Sequence, residues 1–347
     1  MSLAEQPVPK RLDYSDFMNI FACFGVVCLH CSGLVFCFSE TRAWFAAMFV
    51  QTVFHFAVPV FFMISGTTLL EYRARYSTKA FFKKRFTKTG IPFVFWSLFY
   101  LLVPTVFGKA PLPTFEAVRN GIFNNGANNV FWFFYVIFGI YLSMPVLSKL
   151  AKPENFRQIT YLCLLSYFFG GIFPCITRFL QPINGGIVPT IATGYLGYLF
   201  LGWLIRHENF SRKIRVAVYT SGVLGALLMF FGTWWLSRKT GQTDTFFMEY
   251  CSVACFPLSA AVMLFAKHFR WERIYKIIPQ SLVHTMAGAS LGVYVLHMFC
   301  LTAVEHFGIL ATHPIYYMAI MPFAVYGSCV CVVLVLSKIP IVKYIVP

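Results

Sequence analysis

Long apolar runs, separated by short polar breaks, recur from one end of this chain to the other. Each run is close to the length of about 20 residues that carries an α-helix across the hydrocarbon core of a bilayer. Ten runs are read, over 17–38, 44–70, 90–107, 130–150, 157–176, 187–205, 214–236, 246–266, 282–304 and 316–337. The pattern predicts an all-α, polytopic membrane protein of about ten transmembrane helices, forming one integral-membrane domain over 1–347. The breaks include an N-terminal stub over 1–13, a basic loop over 71–89 and a loop over 108–129 rich in Pro, Gly and Asn. The first run is too long for a cleavable signal and lacks a small-residue cleavage site. Neither a low-complexity segment nor the paired-repeat signature of many transporters is visible.

Composition agrees with that reading. The 347 residues are 59% hydrophobic and only 12% charged, whereas a soluble domain carries roughly twice that charged fraction. The net charge of +16 is then mostly a topology signal. With ten crossings and a cytoplasmic N-terminus, 22 of the 28 Lys and Arg fall on the cytoplasmic side, as the positive-inside rule requires, and both termini lie there. No basic face exists outside these short loops, which excludes a nucleic-acid partner. The eleven cysteines all fall within the apolar runs, where Cys acts as a small hydrophobe. "CLHC" lacks a second ligand pair at zinc-site spacing, so no metal and no disulfide framework are expected.

Against so apolar a background, ionisable side chains need a reason. Asp16 opens the first run, His30 lies deep in it, His55 sits midway along the second and His297 deep in the ninth. At 100° per residue Asp16, Asn19 and His30 share one helical face, as do Ser290, Tyr294 and His297. The three histidines fall at similar depth, which suggests one central chamber. Each could be packing glue between helices. The polar faces leading to His30 and His297 favour function for that pair, since a neutral imidazole there accepts a proton from a hydroxyl. A second cluster, "TKAFFKKRFTKTGIPF", sets Arg85 and Lys88 three residues apart beside the third run, level with the small pair Ser65–Gly66. Most of its cations can serve as lipid-facing topology anchors, but these two are placed to hold a phosphorylated ligand entering from the cytoplasm.

The ordered motifs "DFMN" with His30 eleven residues after Asn19, "VPVFFMISG", "KKRFTKTGIP", "NNVFWFFYVIFGIYLSMP" and "SLGVYVLH" resemble those of the integral-membrane acyltransferase family 3, in its bare ten-helix form. Two positions depart from the family pattern: Asn19 and Lys88 stand where it has Arg. The resemblance implies transfer of an acyl group, usually acetyl, from acyl-coenzyme A to a hydroxyl of a cell-envelope polysaccharide or lipid-linked sugar at a bacterial cytoplasmic (inner) membrane. It places the essential histidine at His30 and the donor-binding pair at Arg85 and Lys88; the shared helical face and the small pair put Asp16, Asn19, Ser65 and Gly66 along the donor path, with capping of the first helix as the alternative duty of Asp16. His297 joins His30 as a catalytic candidate, and Trp132, Tyr294, Ser290 and His55 are candidates to orient the acceptor or support the site. Acetyl-CoA is then a substrate rather than a resident cofactor, and the expected partners are the glycan acceptor, membrane lipids and a second copy of the chain. The competing function is a proton-coupled transporter or flippase for a sugar or lipid, using the same histidines as a relay.

Overall fold

The protein is described here from a computed structural model covering residues 12–192, 194–305 and 308–346. It is helical throughout, with no strand among those residues. Its helices are α1 (Asp13–Cys31), α2 (Arg42–Ala74), α3 (Thr78–Val106), α4 (Phe115–Phe123), α5 (Asn129–Leu150), α6 (Pro153–Phe179), α7 (Leu196–His207), α8 (Arg212–Thr240), α9 (Cys255–His268), α10 (Gln280–Glu305) and α11 (Pro314–Leu336). Eight of them, all but α4, α7 and α9, are long and apolar enough to cross a membrane.

Eight falls short of the expected ten. In the run 187–205 the first half folds into short 3₁₀ turns, leaving only the twelve-residue α7, and in 246–266 the chain makes a 3₁₀ turn and a bend before the fourteen-residue α9. Hydropathy registers an apolar stretch whether or not its backbone is helical, so both runs looked like full spans. The breaks also carry more helix than expected. The basic segment is helical from Thr78 onward and continuous with α3, and the 108–129 loop holds α4. Most of the N-terminal stub lies outside the described residues.

Proline shapes the helices that matter for the site. Pro59 has no N–H to offer the carbonyl of His55 four residues earlier, and α2 breaks at His55–Phe56. The Cys255 thiol lies 3.7 Å from the freed His55 oxygen and donates to it. Pro92 likewise withholds a bond from Lys88, and α3 widens into a π turn over Phe86–Gly90.

The second half of α2 lies against α7 with the backbones nearly touching. A methyl on Gly66 would overlap the carbonyl of Leu199, and one on Gly202 would overlap that of Met63. Glycine at both positions is what allows this approach. At the α7 end of the contact Glu71 is held by Trp203 Nε1 (3.3 Å), Arg206 (3.2 Å) and His207 (2.8 Å), so its half-buried carboxylate is paired. Helix α1 packs against α2, α10 and α11 and forms the centre of the bundle. Around it α2, α3, α5 and α10 leave two cavities.

Candidate active site

The first cavity, about 300 Å³, opens among α1, α2, α3, α5 and α10. Asn19, Ser65, Arg85, Lys88, Thr89, Tyr141 and Ser290 supply its polar groups. The π turn ahead of Pro92 carries Lys88 and Thr89, so a sequence-local proline effect delivers the second cation to the same space as Arg85. Arg85 is half-buried over the rings of Phe81 and Tyr141, each 5.8 Å away, and its Nε has no hydrogen-bond partner. Neither Arg85 nor Lys88 meets a carboxylate among the described residues. Two adjacent cations without a counter-charge, one with a buried donor unused, make a site that an anion would complete.

The second cavity, about 160 Å³, is lined by Val26, Leu29, His30, Val58, Phe61, Asn129, Val130, Trp132, Phe133, Tyr250 and Tyr294. His30 occupies the last turn of α1. The Leu29 carbonyl, which this helix end leaves unpaired, is taken up by Gln51 Nε2 at 2.7 Å and Ser32 Oγ at 3.1 Å, and the Cys28 carbonyl accepts from both the backbone N–H and the hydroxyl of Ser32. That cap holds the helix end while the imidazole projects, exposed, into the cavity. The ring of His297, wholly buried, lies 5.1 Å from that of His30. Its Nδ1 is 2.5 Å from the carbonyl of Tyr294, which fixes that nitrogen as the donor, and its Nε2 is buried with no partner. An imidazole so oriented presents a lone pair at Nε2, the arrangement by which a third group orients a base.

Phe61, Phe133 and Tyr294 line both cavities. The cavities therefore stack along the bundle, divided by a wall of three rings. On α2 the order is Ser65, Phe61, Val58, on α5 it is Tyr141, Ile137, Phe133, Asn129, and on α1 it runs from Asn19 to His30. Eleven residues separate Asn19 from His30, about 17 Å at 1.5 Å per residue.

Several expected residues sit elsewhere. Gly66 faces α7 rather than the basic cavity, because the α2–α7 contact needs it, and only its neighbour Ser65 reaches the cavity. His55 leaves the expected three-histidine chamber. The helix break turns its ring to the carbonyl of Met248, to which it hydrogen-bonds, and onto Tyr250 at 4.8 Å. From there it backs a stack in which Tyr250 faces Trp132 at 5.7 Å. Asp16, also outside the cavity lining, lies 3.5 Å from His284 Nε2 on α10, one turn from the bond that Asn19 Nδ2 makes to the Ala287 carbonyl at 2.9 Å. The Tyr294 hydroxyl is committed to the Val130 carbonyl, so this residue serves as wall rather than as a free donor. Ser290 lines the basic cavity, not the histidine one.

Among the lining residues not singled out from the sequence are Phe61, Phe133, Asn129 and Tyr250. The first three lie inside motifs already quoted, where an aromatic in an apolar run reads as filler and Asn129 reads as the end of the polar loop. Tyr250 comes from the bent segment that the sequence makes look like the start of a helix. No group of three or more metal-ligating side chains forms among the described residues.

No curated protein and no solved structure matches the chain. A family model described as "Acyltransferase domain" (acyltransferase family 3) matches residues 12–337 and so takes in every residue of both cavities. This multi-pass membrane protein belongs to acyltransferase family 3.

Proposed function

We propose that the protein is a membrane O-acyltransferase that moves an acetyl group from acetyl-CoA, bound on the cytoplasmic side, to a hydroxyl of a cell-envelope polysaccharide or lipid-linked sugar. The observation that carries this reading is the placement of two unpaired cations, Arg85 and Lys88, in one cavity and of an exposed imidazole, His30, in the adjoining one. In this reading the short helices α7 and α9 complete ten crossings, both termini are cytoplasmic, and the membrane is the cytoplasmic membrane of a bacterium.

The dimensions support the assignment. Between its pyrophosphate and its sulfur, coenzyme A carries an arm about as long as four peptide units, roughly 14 Å when extended. With phosphates at Arg85 and Lys88, that arm runs past Ser65 and Asn19 and delivers the thioester to the wall of rings below His30. The polar faces of α1 and α10 line its way.

In the transfer step, His30 accepts the proton of the acceptor hydroxyl as the oxygen forms a bond to the thioester carbonyl carbon. The tetrahedral intermediate collapses by breaking the C–S bond. The leaving thiolate takes the proton back from His30, so the products are the O-acyl ester and free CoA. His297 Nε2, unused in the structure, is the acceptor that one nitrogen of His30 would use during transfer, leaving the other for the acceptor hydroxyl. The amide of Asn129 and the indole N–H of Trp132 are the donors available to the developing oxyanion. The Tyr250–Trp132 stack gives the acceptor an aromatic face.

The test is transfer of radiolabel from acetyl-CoA to an envelope membrane fraction by the purified protein in proteoliposomes. His30→Ala is expected to lose roughly 10²- to 10⁴-fold, the usual contribution of a general base. Undiminished transfer by this variant would remove His30 from the mechanism, and absence of transfer by the wild type would remove the reading altogether.

A further inference from the structure

We propose that Phe61, braced by Phe133, is the gauge that limits the acyl group this enzyme accepts. The inference rests on the function proposed above and adds the residue that sets the donor's chain length.

The argument begins with size. A water molecule takes up about 30 Å³ of liquid, so the histidine cavity of about 160 Å³ holds roughly five non-hydrogen atoms. An acetyl group has three, and the C–OH of an acceptor adds two. The cavity is filled by the group in transfer and the edge of the molecule receiving it. A butyryl group brings two more carbons, which press on the wall that the arm has just passed.

The wall is not uniform. Tyr294 is pinned through its hydroxyl to the Val130 carbonyl. Phe133 is wedged against Phe62 at 5.0 Å and Tyr294 at 5.6 Å. Phe61 is half-buried, and Phe133 is its one ring neighbour among the described residues, edge-on at 6.0 Å. It borders both cavities, so its ring stands where the thioester passes from the cation side to the histidine side. Replacing the ring by a methyl group removes six carbons and joins the 160 Å³ and 300 Å³ spaces into one. A longer acyl chain can then fold back toward the basic cavity while its carbonyl stays beside His30.

The experiment compares acetyl-CoA with butyryl-CoA, reading free CoA thiol released in the presence of an envelope membrane fraction, for the wild type, Phe61→Ala, Phe61→Leu and Phe133→Ala. One methylene in a filled pocket is worth about 10- to 200-fold, so the wild type is expected to favour acetyl by roughly 100-fold or more in kcat/KM. In Phe61→Ala the preference falls to within about threefold, with Phe61→Leu in between and Phe133→Ala resembling Phe61→Ala. Tyr219→Ala, on an apolar groove away from both cavities, is expected to keep the wild-type ratio. A wild-type preference below tenfold overturns the gauge without any variant. So does a wild-type ratio retained by Phe61→Leu, the substitution that keeps most of the packing and guards against a misfolded Phe61→Ala. Failure of the wild type to transfer either group is a different result and strikes the proposed function itself.

Discussion

Removing the guanidinium of Arg85 gives the sharpest test of how the donor is held. In the structure this side chain is half-buried, lies over two rings, has an unused Nε–H and faces no carboxylate among the described residues. A bound phosphate would therefore gain a charge-assisted hydrogen bond that no internal partner competes for. Such bonds contribute about 1.5–3 kcal/mol, which corresponds to roughly 10- to 150-fold in affinity. Because the phosphates lie far from the reacting carbonyl, they are held equally in the ground state and the transition state. Arg85→Ala is thus expected to raise KM for acetyl-CoA by that factor and to leave kcat nearly unchanged. Arg85→Lys should recover part of the loss, since it keeps the charge without the fork. The decisive assay repeats the measurement with acetyl-pantetheine, a donor that has the thioester arm and no phosphate. With that donor the wild type and Arg85→Ala should behave alike. If Arg85→Ala is as damaging with acetyl-pantetheine as with acetyl-CoA, or if it lowers kcat rather than raising KM, the guanidinium is not a phosphate anchor and the donor path is misassigned.

Three further outcomes follow from the same geometry. If His297 orients His30 as proposed, His297→Ala should cut kcat about tenfold or more with the donor KM unchanged, read from initial rates; a change confined to KM would contradict a positioning role. Gly66→Ala and Gly202→Ala each force a methyl group into a carbonyl of the neighbouring helix, at a cost of about 1–3 kcal/mol. Thermal unfolding in detergent should show a lowered Tm for each, while initial activity per folded molecule stays near the wild type; an unchanged Tm would mean that the helices are not as closely packed as described. Tyr250→Ala breaks the stack between His55 and Trp132 and should raise KM for the acceptor without altering that for acetyl-CoA, which kinetics with the envelope fraction varied at saturating donor would detect.

The residues that a sequence makes legible here are those that violate its background. His30, Arg85 and Lys88 are costly in or beside apolar sequence, and a reader of the chain is drawn to them; the cavities are where the structure puts them. Ser65 reaches the basic cavity as expected, but the glycine beside it serves a helix contact. No single sequence distinguishes those two duties, because a small residue permits close approach whether the neighbour is a ligand or a carbonyl. His55 lies outside the expected chamber for a related reason. The proline that breaks α2 is visible in the sequence, yet the direction in which the ring turns depends on the Met248 carbonyl nearly two hundred residues away. Phe61 and Phe133 were illegible as individuals, since one phenylalanine among 41 carries no signal until its position between two cavities is known. The partial helicity of the runs that end in α7 and α9 was also illegible, because hydropathy marks an apolar stretch whether its backbone is helical or folded into turns.

Asn19 shows how the chain accommodates its departure from the motif it resembles. A guanidinium at this position would stand on the inner face of α1, bordering the basic cavity and within a turn of Asp16. The shorter amide instead bonds the carbonyl of Ala287 and draws α1 and α10 together, while Asp16 lies beside His284 of the same helix. The pairing of α1 with α10 is thus made from short-range polar contacts at one end and by the His30–His297 approach at the other. That leaves the positive charge of the cavity wholly to α3, where the π turn ahead of Pro92 brings Lys88 round to join Arg85. The two imidazoles are held near one another because the two helices are, so any change that loosens Asn19 from Ala287 should be felt at His30 about 17 Å farther along α1. Asn19→Ala is accordingly expected to lower kcat with both acetyl-CoA and acetyl-pantetheine, the opposite of the donor-selective loss expected of Arg85→Ala. An effect of Asn19→Ala confined to KM for acetyl-CoA would place the amide on the phosphates instead and refute the role in helix pairing.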